Sequence, residues 1–114
     1  MVRKANIVQK QELGGGKGCA EVHEIVPEKD LYGHGKLYAK VVLKPNSSVG
    51  WHRHVGETEP YYILEGEGIF VYDDGSRTKV GPGDVCTILP GQCHAIENAS
   101  SCKDLAFMAL IHKD

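Results

Sequence analysis

Two histidines stand two residues apart at His52 and His54, glutamates follow at Glu57 and Glu59, and a third histidine lies downstream at His94. In an extended strand, residues i and i+2 share a face, so both early imidazoles would point one way. Imidazole and carboxylate donors suit Mn, Fe, Co, Ni or Zn as divalent ions, and no thiolate is needed. Two histidines and a glutamate on an early hairpin, joined by a histidine from a later strand, could therefore make a metal site. Glu57 is a rival donor to Glu59, although a turn is expected to separate it from the strand.

The elements that must position these groups are short and turn-bounded. Ala20–Val26 reads as a strand stopped at Pro27, and Leu37–Leu43 as a second, with Leu37, Ala39, Val41 and Leu43 on one face. Val49–Val55 carries the histidine pair, Glu59–Leu64 the glutamate, and Ile69–Tyr72 and Arg77–Val80 flank the hairpin signal Asp73-Asp74-Gly75-Ser76. Val85–Leu89, His94–Asn98 and Leu105–Ile111 complete the set. The last run has the composition of a helix, yet its neighbours are all strand-like, and a strand is expected. Many short strands with Gly, Pro and Asp turns predict an all-β sandwich or barrel.

At 114 residues the chain is long enough for one domain with its own core. Residues 1–18 read as an N-terminal arm and loop, and residues 19–114 as a single barrel domain. Gly14, Gly15, Gly16 and Gly18 surround Lys17, but no Gly-Lys-Ser/Thr follows, so a phosphate cradle is not expected. The formal charge of −2 and the scattered Lys and Arg give no field for nucleic acid or membrane. The N-terminus shows no apolar signal core, and no run approaches the roughly 20 apolar residues of a membrane helix. The expected location is the cytoplasm. Cys19, Cys86, Cys93 and Cys102 form no Cys-x-x-Cys pair and read as free thiols. His23 and His34 lack partner spacing and read as ordinary histidines.

The stretch from His52 to Asn98 resembles the cupin family. Its first motif is matched by His52-Arg53-His54, four residues, Glu59, six residues and Gly66. Its second is matched by Gly83, Gly91, His94 and Asn98, with Leu89 in the motif's proline position. The glycine that should precede the first histidine would fall at Asn46–Ser47 and is missing. The resemblance implies a cupin double-stranded β-helix (a jelly-roll barrel), with the metal held by His52, His54, Glu59 and His94. It selects Glu59 over Glu57. Four protein donors on an octahedral ion leave two positions open, which is what a catalytic metal requires.

The chain looks most like a stand-alone, one-domain cupin of the oxalate-decarboxylase-like group. That implies a homodimer, and strand Ala20–Val26 offers an edge for pairing. It also implies a metal-dependent enzyme acting on a small carboxylate or sugar-like substrate by decarboxylation, dioxygenation or isomerisation. The alternative is a non-catalytic small-molecule binding or sensor cupin. Tyr61 alternates with Glu59 and is expected to face the same cavity as a candidate catalytic residue, while Ile96 and Asn98 alternate with His94. Lys40 and Arg53 are candidate anion partners, with Arg53 expected to point outward.

Overall fold

Residues two apart in a strand share a face, and each central strand turns one face to the core, while Val42, Ala106, Cys93 and Ala95 are buried on the opposite faces as well. Ala39, Val41 and Leu43 share one inward face; Leu105, Phe107 and Ala109 share another; Tyr61 and Ile63 a third. The computed structural model describes residues 1–113, with ten strands among them. They are β1 (Asn6–Gln11), β2 (Cys19–Val26), β3 (Gly35–Leu43), β4 (Ser48–Arg53) and β5 (Tyr61–Glu65). After these come β6 (Gly68–Val71), β7 (Arg77–Val80), β8 (Val85–Cys86), β9 (Cys93–Asn98) and β10 (Leu105–His112).

The strands make two antiparallel sheets, ordered β1-β2-β3-β10-β5-β8 and β4-β9-β6-β7. Val49, Phe70, Val80 and Ile96 from the smaller sheet pack into one core with Val41, Leu43, Ile63, Leu105 and Phe107 from the larger. This is the expected jelly roll, but its ladders remain two separate sheets and do not close into a continuous barrel. The last strand, β10, lies in the interior of the larger sheet between β3 and β5. Its neighbours on both sides supply the ladder that settles the helix-or-strand ambiguity of its composition.

Residues 1–18 are not simply an arm and loop. Asn6–Gln11 is strand β1, paired with β2 from Asn6 opposite Glu24 to Gln11 opposite Cys19. All six of its residues are exposed, so no buried face marks it in the sequence. β2 therefore has partners on both edges, β1 and β3, and the edge strands of this sheet are β1 and β8. That corrects the expectation that Ala20–Val26 is open for pairing. β8 is also shorter than expected, ending at Cys86.

The glycine cluster has a packing reason. A 3-10 turn at Leu13–Gly15 lies on β4, and a Cβ at Gly16 would sit 2.2 Å from the Ser48 carbonyl oxygen. A Cβ at Gly50 would sit 2.3 Å from the Gly14 oxygen. The two backbones meet at a distance that only glycine permits. Hydrogen bonds stitch the seam: Lys17 N–H donates to Ser48 Oγ at 2.9 Å, Ser48 N–H to the Lys17 carbonyl at 2.9 Å, and Cys19 N–H to Ser47 Oγ at 3.0 Å.

Candidate metal centre

His52 and His94 face each other across the β4–β9 ladder. His54 lies one residue past the end of β4, and Glu59 precedes β5, so two of the four donors sit on connections rather than inside strands. Those connections are pinned. His54 N–H donates to the Gln92 carbonyl at 3.1 Å, and Gly91 N–H donates to the His54 carbonyl at 2.6 Å. Thr58 and His112 exchange two backbone hydrogen bonds of 3.0 Å beside Glu59.

The four donor atoms lie within 4.8 Å of one another. His94 Nε2 is 3.1 Å from His54 Nε2, 3.1 Å from His52 Nε2 and 3.2 Å from Glu59 Oε1. Glu59 Oε1 is also 3.1 Å from His54 Nε2 and 3.7 Å from His52 Nε2. A neutral imidazole nitrogen carries at most one hydrogen, so these contacts cannot all be hydrogen bonds. His52 Nδ1 lies 2.6 Å from the Gly50 carbonyl, which only accepts. That nitrogen must hold the proton, and the Nε2 lone pair is turned on the cluster. Converging lone pairs and a carboxylate at such spacing fit a cation between them.

The shifts at Glu59 and His94 suit the same purpose, while that at His52 runs the other way. Burial pushes Glu59 up, but the imidazoles of His52, His54 and His94 gathered round its carboxylate outweigh it and hold the carboxyl well below its usual range. Burial lowers His94 despite Glu59, keeping it neutral. The Glu59 hydrogen bond raises His52 against its burial. An ionised glutamate and neutral imidazoles are the forms a metal binds.

Glu57 does not join the cluster. Its Oε1 takes a 3.0 Å ion pair from Lys36 and lies 3.9 Å from His54 Nδ1, so it braces the far side of a donor ring. Tyr61 is buried, stacked on His94 with centroids 5.0 Å apart, its hydroxyl 3.5 Å from His94 Nε2. Burial and the charge of Glu59 push its phenol well above the usual value, so it remains a proton donor. Asn98 is structural: its Nδ2 reaches the carbonyls of Leu43, Lys44 and Lys103 at 3.1, 3.1 and 2.8 Å. Ile96 is core. Arg53 is exposed and donates to the Gly91 carbonyl, while Lys40 is absent from the cavity wall.

A cavity of about 280 Å³ opens from the cluster. His52, His54, Glu59 and Tyr61 line its polar end, and Val41, Val49, Leu37, Phe107, Ala109 and Ile111 much of the rest. Leu13, Gly14, Val22 and Lys10 complete the wall from the N-terminal segment. Sequence reasoning missed that contribution. The β10 residues were readable as a strand from their strand-like neighbours, whereas nothing in Asn6–Gln11 distinguishes Lys10 from its neighbours.

A sequence model of the Cupin domain family matches residues 39–111. The chain is a cupin. It is 40% identical over 113 residues to the oxalate-binding protein of Thermotoga maritima, covering 97% of this cupin and 92% of the relative. Its structure is similar to the crystal structure of a predicted oxalate decarboxylase from Thermotoga maritima. There the TM-score is 0.92, with 37% identity over 100% of this chain and 99% of that one. The fold alone is shared with the polyketide cyclase RemF of Streptomyces resistomycificus (TM-score 0.77, 21% identity, 100% and 79% coverage).

Proposed function

We propose that this cupin holds one divalent transition metal on His52, His54, Glu59 and His94 and uses it to bind a small carboxylate. In this reading it is an enzyme of the decarboxylase, dioxygenase or isomerase type. The crowding at His94 Nε2 carries the proposal, because three neighbours at 3.1–3.2 Å exceed what one ring nitrogen can satisfy by hydrogen bonding. A divalent ion there would act as a Lewis acid on a bound carboxylate or enolate. The protein's own part is to hold the donors rigidly, keep Glu59 ionised, and place the protonated Tyr61 hydroxyl beside His94. The test is elemental analysis of protein purified without chelator, beside a His52→Ala/His94→Ala double variant. About one Mn, Fe, Co, Ni or Zn per chain, lost in the variant, is expected; none after reconstitution defeats the reading.

The printed name of the Thermotoga relative favours a second reading, a metal cupin that binds a carboxylate without converting it. Turnover of a carboxylate by the metal-loaded protein separates the two.

A homodimer is also proposed, now through a different strand. β1 has a free edge and exposes Ile7 and Val8, at 54% and 39%. A bare strand edge with apolar side chains is a template for pairing. Light scattering at micromolar concentration is expected to give twice the chain mass, and a monomer there rejects the dimer.

A further inference from the structure

The cavity walls do not match the ligand that the Thermotoga relative's name suggests. Oxalate has four oxygens and no apolar surface. Beyond the polar end, most side chains around this cavity are hydrocarbon, from Leu13 and Val22 to Phe107 and Ile111. Oxygens or hydroxyls placed there would leave water and find no partner, which is costly. The same argument weighs against a sugar. The volume bears on size. At roughly 30 Å³ per water in the liquid, about 280 Å³ holds about nine atoms of that size.

Charge sets the other end of the ligand. Glu59 contributes one negative charge, a divalent cation would bring two positive, and among the described residues Lys10 is the one lysine or arginine on the wall. The balance is positive and favours an anion. Four protein donors on an octahedral ion leave room for two ligand oxygens, which suits vicinal oxygens on adjacent carbons.

We propose that the ligand of this site is an α-keto or α-hydroxy carboxylate with a short hydrocarbon tail. Its head lies at the donor cluster and its tail against Val41, Val49, Phe107, Ala109 and Ile111. This rests on the metal reading above and narrows its substrate class.

The test uses the whole chain loaded with Mn²⁺. Calorimetric titration compares oxalate, pyruvate, α-ketobutyrate, α-ketovalerate and α-ketoisocaproate. Affinity is expected to rise about fourfold for each added carbon that is buried, with a heat-capacity change that grows more negative. Ala109→Leu, which adds bulk to the apolar wall, is expected to flatten that series with Mn²⁺ still bound one per chain. Ile111→Phe, nearer the surface, provides the same test should Ala109→Leu fail to fold. If Mn²⁺ binds but affinity is flat with chain length, or oxalate binds best, this inference falls while the metal site stands. If Mn²⁺ does not bind, the metal reading fails and the inference falls with it.

Discussion

His94 contributes one nitrogen to the cluster and leaves the other, Nδ1, buried without a hydrogen-bond partner. Its place is kept by the stacked Tyr61 ring and by Phe70 edge-on at 5.8 Å. Replacing it with Gln removes a donor without emptying the space, and metal affinity is expected to fall at least about a hundredfold by competitive titration with a fluorescent chelator. Unchanged affinity would show that the ion sits elsewhere. Asn98 makes a contrasting prediction. Its amide ties three carbonyls together, and Asn98→Ala is expected to cost about 2 kcal/mol in denaturant unfolding while leaving metal stoichiometry at one. The donors were legible because motif spacing survives in one dimension: His52, His54, Glu59 and His94 sit at fixed offsets from Gly66 and Gly91. Lys10 was not, because a lysine on an exposed strand carries no mark of the cavity it borders.

At the scale of elements, the seam between Gly14–Gly16 and β4 positions both the cavity wall and the strand bearing His52. Gly16→Ala places a Cβ against backbone, which cannot yield as a side chain can. The variant is expected to lose about 2 kcal/mol or more and to show faster amide exchange in residues 13–18 and β4. Full protection there would mean that the seam tolerates the methyl group. Strands with a buried face, such as β3 and β5, could be read from alternation, and β10 from the strand pattern of its neighbours. β1 could not, since its partner is β2 rather than the core, and pairing leaves no hydrophobic period behind. β8 was overextended because Ile88 is apolar and buried without being in a ladder.

For the molecule as a whole, a bound ion stabilises only the folded chain. At a thousandfold excess over its dissociation constant the gain is about 4 kcal/mol. Chelation is therefore expected to lower the melting temperature by about 10–15 °C, and no shift would argue against a tight site. The metal-free chain should also weaken in acid. The folded-state pKa of Glu59 is depressed, so the unfolded chain binds the proton first, and stability present above the ordinary value of 4.5 drains away as pH falls below it. His52 and His94 shift in opposite directions, so their contributions in the imidazole range are of opposite sign. Glu59→Gln should flatten the acid limb of a melting-temperature profile, and an unaltered limb would assign it to other carboxylates. The interior position of β10 carries a further consequence, for biosynthesis. The strand that completes both the larger sheet and the wall of the chamber follows the other nine described strands in the chain. While Leu105–His112 is still unsynthesised, β3 and β5 have no common neighbour. A nascent chain at that stage therefore lacks a finished pocket, and an ion held as proposed would be taken from whatever exchangeable pool the chain meets afterwards. Expression host and growth medium would then become determinants of which element a preparation contains.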